Sequence, residues 1–462
     1  MAGADRIDHY IISIIRRKEC IESSAVPANI RFPQGPTMTK PAAKFFYGWI
    51  IVAVCLLALI VSNGLSIGGV PVFYKFVQNE LVANGSVPQD RVQSVYGYAP
   101  AITFFLAGFL GLLSGSLLKR VSARILMVVG CFILGGGVLI YSQASSVALV
   151  YLAHAMLGSS LAFVGVIVCT VLVSNWFDKR RGTALGIVLT GTSFGGVIIP
   201  QLATPLIQTY GWRIAMAAVS LLVWAVLLPA VILLVKDRPS DIGSLADGDV
   251  TEFDERRLPV ERSGITLSEA LRTPIFWIFG LTAALIFYAI FVVTQQLNLY
   301  LQSPKMAFSP SQAADVQSLM FALSVAGKFV YGFLSDRFPI SKVMIVSAAT
   351  LVLSTCTFLY FNNVAVYIFA VLFGVNYGGM FVLLQLMVAE HFGVKEYGKI
   401  LGAVIMIETL GASLGPIITA KIADVDGGDY TRAFYSLILV TILALVTTLL
   451  INSFYRRNPI AT

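Results

Sequence analysis

Charged side chains are scarce in this sequence. Asp, Glu, Lys and Arg make up 12% of its 462 residues, whereas they make up about 25% of an average globular chain. Hydrophobic residues make up 57% of the sequence and are spread along its length rather than confined to one anchor. A soluble fold of this size cannot cover its surface with so few charges. The composition therefore excludes a soluble protein and predicts an integral membrane protein.

Cysteine and histidine are also few, with five and three residues. No pair of cysteines has the spacing of a metal site or of a redox motif, so we interpret the cysteines as small hydrophobes. The sequence contains no Walker-type lysine motif and no nucleophile–base–acid grouping. We therefore expect no enzyme, no ATP-driven transport and no cofactor. Lys and Arg that orient a membrane protein explain the net charge of +8, so no nucleic-acid partner is expected.

Long apolar runs organise the chain. A helix needs about 20 apolar residues to cross the bilayer, and twelve segments meet that requirement. The predicted fold is an all-α membrane protein with twelve transmembrane helices in two six-helix bundles. We number the predicted spans 1 to 12, at residues 46–70, 93–118, 125–142, 147–174, 183–207, 212–235, 275–300, 314–335, 343–361, 364–390, 398–421 and 433–454.

Most separators between the spans are short, but residues 236–274 form a long one. This segment contains the charged run 254–257 and has no apolar periodicity. We interpret it as a cytoplasmic linker between an N-terminal bundle at 46–235 and a C-terminal bundle at 275–454, with a cytoplasmic tail at 455–462.

The chain begins with a polar stretch of mixed charge, residues 1–45. Its apolar run 11–15 is too short for the core of a signal peptide, and basic residues follow that run rather than precede it. We predict a disordered cytoplasmic leader, with Met38 as the working start and residues 1–37 dispensable. A leader that docks on the helical body is the alternative.

Lys and Arg mark one side of the predicted bundle. They are concentrated between spans 2 and 3, between spans 4 and 5, after span 8 and after span 10, whereas the loop after span 11 is mainly acidic. Cytoplasmic loops carry the excess of Lys and Arg. We therefore predict that both termini and the linker are cytoplasmic and that the protein lies in the cell membrane.

A short pattern recurs at the ends of spans 2 and 8: a glycine, a small or apolar pair, and a basic turn. Glycine lets two helices approach closely, and a basic turn anchors a loop on the cytoplasmic side. We interpret both copies as cytoplasmic gating motifs and their recurrence as support for a 6 + 6 organisation. Their members are Gly115, Arg120 and Arg124 in the first copy, and Gly332, Asp336 and Arg337 in the second.

Both copies resemble the general motif of the major facilitator superfamily of transporters. The run from Asn175 to Gly186, Asn-Trp-Phe-Asp-Lys-Arg-Arg-Gly-Thr-Ala-Leu-Gly, is similar to the opening of span 5 in the monocarboxylate porters and oxalate/formate antiporters of that superfamily. The resemblance implies two six-helix repeats that rock around a midplane substrate site. Further matches to that group are residues 47–49, residues 210–213, and Glu408 with Gly415-Pro416.

Several positions depart from the pattern of that group. Animal monocarboxylate porters have a span-8 arginine four residues before a glycine, and an acid one turn earlier. This sequence has Lys328 and Ser324 at those places. The span-1 lysine of those porters falls at Gly68, and the span-11 lysine of the oxalate/formate antiporter falls at Val404. This sequence keeps a cation in span 8, but the other three charged positions are occupied by uncharged residues.

Three ionisable side chains lie inside the predicted spans, away from their ends. Such a group costs about 2.5–3.5 kcal/mol at mid-membrane on insertion scales, so it usually faces a cavity and has a use. Lys328 is interpreted as an ammonium that binds a substrate carboxylate, or alternatively as a lysine that extends to the cytoplasmic interface. Glu408 is a proton-coupling candidate, or alternatively an acid that joins helices. His154 is interpreted as a core histidine, with a proton or gating role as the alternative.

Uncharged polar side chains lie on helices that line the cavity in the resembled fold. The substrate-binding candidates are Asn63 in span 1, Tyr288 in span 7 and Asn376 in span 10, and Gln295 and Tyr377 belong to the same polar set. Each of them either hydrogen-bonds substrate or joins helices, at about 0.6 kcal/mol per bond.

The residues and the resemblance together favour a secondary active transporter that works by alternating access. The expected substrate is a small organic anion, in the first place a monocarboxylate, with protons or a counter-anion as the coupled partner. We expect a monomer in the lipid bilayer. The alternatives are an exporter of drugs or neutral solutes, which needs no cation, and a non-transporting membrane sensor, which usually carries a signalling domain.

Overall fold

The computed structural model describes residues 46–118, 120–178, 180–245, 247, 264–360, 362–393 and 395–457. Within these ranges, twelve helices are long and apolar enough to cross a membrane. We name them spans 1 to 12, at Gly48–Ala83, Gln89–Leu117, Ala123–Ser142, Val147–Trp176, Arg181–Tyr210, Trp212–Leu234, Pro274–Leu301, Pro310–Arg337, Ile340–Leu359, Asn363–Phe392, Tyr397–Val425 and Thr431–Phe454.

The predicted all-α fold with twelve transmembrane helices is confirmed. The predicted edges lie within about four residues of the observed ones, except at the end of span 1. The predicted leader at 1–45, the charged run 254–257 and the tail residues 458–462 lie outside the described residues. The division into two six-helix bundles stays a prediction.

Short polar side chains cap the N-terminal ends of several spans. Ser122 accepts a hydrogen bond from the N–H group of Ile125 at the start of span 3, and Asn362 accepts one from Ala365 at the start of span 10. Ser309 and Gln312 bond each other's backbone N–H groups before span 8. These caps satisfy N–H groups that have no partner inside the helix, which is why the spans begin at these residues.

Span 1 continues past residue 70, where the sequence predicted its end, so that prediction was wrong. The chain does not leave the helix but changes helix type: α at Gly48–Asn63, π at Gly64–Gly69, 3-10 at Val70–Phe73 and α again at Tyr74–Ala83. Glycine and proline are the weakest helix formers, so this stretch favours an irregular turn. A π-turn takes backbone carbonyls out of the regular α-helical pattern and is frequent at functional sites.

Glycines let span 1 contact span 5 backbone to backbone. A Cβ atom on Gly64 would lie 2.7 Å from the Cα of Gly195, and one on Gly68 would lie 2.4 Å from the Cα of Gly196. Such distances leave no room for a side chain. Close backbone packing of small residues is a main source of helix association in membranes, so these glycines fix span 1 on span 5.

The bundle has two faces, because consecutive spans alternate in direction. We call the face at which residues 236–245 lie the linker face, and the other the opposite face. At the opposite face, the Asp424 carboxylate accepts hydrogen bonds from the N–H groups of Gln93 (2.9 Å) and Ser94 (2.7 Å) in the first turn of the long α-helix of span 2. Gln208 also donates to Ser311 over 2.8 Å. These bonds join spans 1–6 to spans 7–12.

The described parts of the predicted linker dock on the helical body. The indole N–H of Trp176 donates to the carbonyl of Lys236 (2.9 Å), and the N–H of Ile265 donates to the carbonyl of Phe392 (3.0 Å). The start of the linker thus binds the end of span 4, and its end binds the end of span 10. It contains a 3-10 turn at Pro239–Ile242 and a short helix at Leu267–Leu271.

Candidate functional site

Lys328 lies on span 8, about nine residues from the linker-face end, and is half-buried. Its ammonium donates hydrogen bonds to the carbonyl of Leu189 (2.7 Å), Oγ1 of Thr192 (2.7 Å) and Oγ of Ser193 (2.9 Å). All three acceptors are uncharged and belong to span 5. Lys328 does not extend to the linker face, as the alternative interpretation required, and it forms no ion pair with the described residues.

Small residues set the direction of the Lys328 side chain. A Cβ atom on Gly378 of span 10 would lie 1.9 Å from the carbonyl oxygen of Ser324, so the backbones of spans 8 and 10 are in contact on that side. The Ser324 hydroxyl contacts the Ser193 hydroxyl of span 5 at 2.7 Å. The position that carries an acid in the animal porters therefore holds an uncharged bridge to span 5, and Lys328 has no carboxylate partner there.

Glu408 lies near the middle of span 11 and is 7% exposed. Its two chain neighbours fix its direction. A Cβ atom on Gly280 of span 7 would lie 2.6 Å from the side chain of Ile407, and one on Gly108 of span 2 would lie 2.4 Å from that of Thr409. Successive residues of an α-helix are about 100° apart, so Glu408 points into the gap between spans 2 and 7. Its carboxyl makes no hydrogen bond with a described residue.

A series of aromatic rings runs from span 2 through spans 7 and 10 to span 8. We call it the aromatic chain; its members, in order, are Phe104 of span 2, Phe291 and Phe287 of span 7, Phe381 and Tyr377 of span 10, and Phe321 of span 8. The distances between successive ring centroids are 4.0, 5.9, 5.2, 5.5 and 5.6 Å. Only Tyr377 of these rings was a candidate from the sequence, because the spacing of the rings is not distinctive in a protein with 30 Phe and 18 Tyr residues.

Asn376 joins helices within the last six spans. Its Oδ1 atom accepts hydrogen bonds from the hydroxyls of Tyr331 (3.1 Å) and Ser347 (2.5 Å), so it links spans 8, 9 and 10. The side chain is completely buried, and its Nδ2 atom has no partner among the described residues. The helix-joining interpretation of Asn376 agrees with these contacts.

Two glutamines bind the irregular turn of span 1. Gln295 of span 7 donates to the carbonyl of Ile67 (3.2 Å), and Gln317 of span 8 donates to that of Gly68 (3.1 Å). Both carbonyls belong to the π-helical turn, and buried carbonyls need donors. Gln295 was a candidate from the sequence but Gln317 was not, since nothing in the apolar pattern of span 8 distinguishes Gln317. These bonds hold spans 1, 7 and 8 together toward the opposite face.

Asn63 lies at the start of the same turn. It is 7% exposed, and its Nδ2 atom donates to the hydroxyl of the adjacent Ser62 over 3.3 Å. No other hydrogen bond of its side chain is found in the part of the chain that the structure describes. The carbonyl oxygen of the Asn63 side chain therefore has no hydrogen-bond partner among the described residues.

Tyr288 lies apart from the other candidates. It lines an apolar groove of about 360 Å³ between spans 7 and 11, together with Trp277, Leu281, Leu410 and Leu414. Those four side chains are exposed on the outside of the bundle, where a bilayer covers them. The structure thus directs Tyr288 toward lipid rather than toward Lys328 and Glu408, and we leave it out of the proposed site.

His154 lies among tyrosines in the core of the first four spans. Its Nδ1 atom is 2.9 Å from the hydroxyl of Thr103. The rings of Tyr74, Tyr96 and Tyr141 lie at centroid distances of 6.0, 6.5 and 5.4 Å. The Nε2 atom is buried without a partner among the described residues. This placement agrees with a core histidine.

The glycines of the two predicted gating motifs do not bring helices together. A Cβ atom on Gly115 or on Gly332 would meet no atom within 4 Å. The close approach expected at these two glycines is therefore not found among the described residues, because the space beside each of them is open. Arg120 and Asp336 are exposed at the same ends.

The basic residues of these motifs differ in their contacts. The guanidinium of Arg337 lies 4.0 Å from the ring centroid of Phe333 on its own helix. Arg124 instead binds the end of span 6: its guanidinium donates to the carbonyl of Ile232, and its N–H donates to Asp237 (3.1 Å). Among the described basic residues of the two motifs, Arg124 thus connects its motif to another span.

Two acids outside the spans hold the end of the linker. Lys399 and the N–H of Leu267 donate to Glu396 over 2.5 and 2.8 Å, and these bonds lower the pKa of the Glu396 carboxyl. The backbone and hydroxyl of Thr266 do the same for the pKa of Glu269. Both acids are therefore ionised at neutral pH and fix the short helix Leu267–Leu271 at the linker face.

Twelve apolar helices with charged groups few and mostly at their ends define a multi-pass membrane protein. Within the described ranges, no group of three or more His, Cys, Asp or Glu side chains could hold a metal ion. The family model of the Major Facilitator Superfamily matches residues 54–307 and 303–461. The chain belongs to this superfamily and is one of its transporters.

Its curated relatives include fungal transporters. The chain is 24% identical over 390 residues to the MFS transporter asaE of Aspergillus flavus, with 83% of this chain and 82% of that protein covered. It is 24% identical over 403 residues to the riboflavin transporter MCH5 of Saccharomyces cerevisiae, with coverage of 82% and 73%. It is 26% identical over 330 residues to the aspyridones efflux protein apdF of Emericella nidulans, with coverage of 71% and 63%.

Solved transporter structures share the fold. A bacterial homologue of the human lysosomal transporter Spinster, inward-facing and occupied, matches with a TM-score of 0.68 at 14% identity, over 89% of this chain and 98% of that one. The nucleoside transporter NupG matches with a TM-score of 0.66 at 14% identity, over 88% and 99%. The assignment of this chain to the monocarboxylate porter subgroup stays a prediction.

Proposed function

We propose that this protein is a secondary active transporter of an organic anion and that Lys328 binds the anionic group. One observation carries the proposal: the cation of span 8 has three partners, and all are uncharged oxygens of span 5. Monocarboxylates remain among the proposed substrates, since one ammonium matches one carboxylate.

A partly buried cation without a counter-charge favours an anion beside it. Two opposite charges 4 Å apart attract by about 4 kcal/mol at an effective dielectric constant of 20. Hydrogen bonds to neutral oxygens stabilise the ammonium but leave its net charge in place. Lysine acts here as a point charge on a flexible stem, so it can bind acids of different shape.

Alternating access is the proposed mechanism. In the structure, bonds at the opposite face join spans 1–6 to spans 7–12, for example between Asp424 and Ser94. Lys328 connects the same two sets at mid-depth through span 5. An anion that takes over the donors of Lys328 weakens this connection and thereby favours the movement of one set against the other. We further propose that the linker face is cytoplasmic, that the protein works as a monomer in the cell membrane, and that protons or a counter-anion are coupled.

Uptake into proteoliposomes tests the role of Lys328. The purified protein is offered labelled carboxylates, from lactate and oxalate to benzoate, with and without a pH gradient. We expect Lys328→Arg to keep part of the uptake and Lys328→Gln to abolish it, because only the first keeps the charge. Lys421→Gln is the matched control, since Lys421 is an exposed lysine of span 11 that lies 5.8 Å from the ring centroid of Tyr98. Full carboxylate uptake by Lys328→Gln would refute the anion-binding role.

Export of larger neutral solutes is the second candidate function. The name of the aspyridones efflux relative favours export, and the aromatic chain favours a solute with an aromatic or other apolar body. Everted vesicles that are offered a neutral aromatic dye from the medium distinguish the two functions, because an exporter moves the dye into their lumen. Transport of the dye that is equal in wild type and in Lys328→Gln, together with no carboxylate uptake, would favour this second function over the first.

A further inference from the structure

Glu408 is a second ionisable side chain inside the spans, at a depth similar to that of Lys328. Glu408 is 7% exposed, and its carboxyl finds no hydrogen bond within the described residues. Burial of an unsatisfied carboxyl is costly, so its partner is expected to be a proton or a ligand that enters this space.

Glu408 faces the span 2 end of the aromatic chain. Gly108 contacts Thr409, and Phe104 precedes Gly108 by four residues, so Phe104 lies on the same side of span 2, one turn nearer the opposite face. The ring of Phe104 in turn meets that of Phe291 of span 7 at 4.0 Å. Glu408 therefore points into the space between spans 2 and 7, and these two rings meet across the same two spans nearer the opposite face.

Lys328 lies at the span 8 end of the same chain. Phe321 precedes it by seven residues, which places both on one face of span 8, about 10 Å apart along the axis. Both face span 5: a Cβ atom on Gly196 would lie 2.3 Å from the Phe321 ring, and Lys328 binds Thr192.

Four rings of the aromatic chain are not completely buried. Phe104, Phe291, Phe287 and Tyr377 each keep an exposed fraction of 5–7%, so space of at least the size of a water molecule lies beside them. Lys328 and Glu408 are about 13 and 16 Å from the linker-face ends of their spans, counted at about 1.5 Å per residue. They thus lie at similar depth, one beside span 5 and the other beside span 2.

We propose that the transported solute is bifunctional: it binds Lys328 through an acidic group, lays an aromatic or other apolar body along the aromatic chain, and donates a hydrogen bond to Glu408 from a polar group at its far end. The inference rests on the proposed function, because it takes Lys328 as the anion site. It gives Glu408 a direct contact with substrate, in addition to any role with protons.

Equilibrium binding to the purified full-length protein in detergent at pH 7.5 tests this inference without a pH gradient. The probes are two matched pairs of different length: benzoate with 4-aminobenzoate, and biphenyl-4-carboxylate with 4′-aminobiphenyl-4-carboxylate. The members of each pair differ only in the far donor. We expect the amino member of at least one pair to bind about tenfold more tightly in the wild type, because its donor satisfies a buried acceptor that has no partner among the described residues.

Glu408→Leu removes the acceptor at similar size, and we expect it to abolish this advantage. Glu408→Gln keeps the shape and a neutral acceptor, and we expect it to reduce the advantage at least threefold; this second variant decides if the first does not fold. Glu390→Gln is the matched control, since Glu390 is also an acid inside a span but lies two residues from the end of span 10. An advantage that is absent in the wild type, or unchanged in Glu408→Gln, would overturn the inference.

Lys328→Gln separates this inference from the proposed function. We expect it to weaken both members of a pair by the same factor. If it weakens neither while Glu408→Gln still removes the advantage of the amino member, then Lys328 is not the anion site and only the contact with Glu408 stands.

Discussion

Asp424 offers a direct test of how the opposite face is closed. Its carboxylate accepts hydrogen bonds from Gln93 (2.9 Å) and Ser94 (2.7 Å), so an acid of span 11 caps the start of span 2. Hydrogen bonds to charged groups contribute about 1.5–3 kcal/mol. Because about 1.4 kcal/mol corresponds to a factor of ten in an equilibrium constant, we expect Asp424→Ala to raise the population with this face open roughly 10- to 100-fold.

A buried reporter cysteine measures that population. Ala314 is 1% exposed and lies on the same face of span 8 as Gln317 and Ser318, which contact spans 1 and 5. Ala314→Cys should therefore react with a polar thiol reagent only when the opposite face opens. The rate is corrected for the native cysteines with the protein that lacks the reporter, and we expect Asp424→Ala to increase it in proportion to the open population.

Asp426→Ala is the matched control for this experiment. Asp426 forms an ion pair with Arg432 (3.0 Å) inside the connection between spans 11 and 12, so its loss breaks no bond between the two sets of spans. If labelling of the reporter rises no more with Asp424→Ala than with Asp426→Ala, then Asp424 does not close this face and the reasoning is refuted.

Three further predictions concern stability, coupling and the leader. Gly68→Ala places a methyl group 2.4 Å from the backbone of span 5 and should lower the free energy of unfolding by about 1–3 kcal/mol in a detergent melt. Gly115→Ala is the control: open space surrounds Gly115, so this variant should be neutral or slightly stabilising. Equal effects of the two variants would contradict the packing of Gly68 against span 5. Glu408→Gln should lose accumulation driven by a pH gradient but keep exchange of labelled for unlabelled substrate, since it mimics a permanently neutral carboxyl; accumulation that persists excludes the proton role. A chain that begins at Met38 should insert and transport normally, and loss of either would show that the leader matters.

Local composition determined the outline of this protein. The number of spans and nearly all their edges follow from counting apolar residues, because each transmembrane helix satisfies its own backbone and must match the bilayer by itself. The exception is instructive. Span 1 was predicted to end at residue 70, but the chain continues through irregular helical turns at Gly64–Phe73, where Gln295 and Gln317 of other spans bind backbone carbonyls.

Only the tertiary structure decided which way each side chain faces. Membrane helices are apolar on all sides, so no periodic pattern in the sequence indicates the direction of a side chain. The sequence therefore does not show that Tyr288 faces lipid, that Asn376 faces neighbouring helices of its own set, or that Glu408 faces the interior. The sequence singled out Lys328 and Glu408 because ionised groups are rare in a bilayer, whatever surrounds them. It missed Thr192, Ser193 and most of the aromatic chain, because hydroxyls and rings acquire their meaning from neighbours on other spans, such as Lys328, which is 136 residues from Thr192 in the sequence.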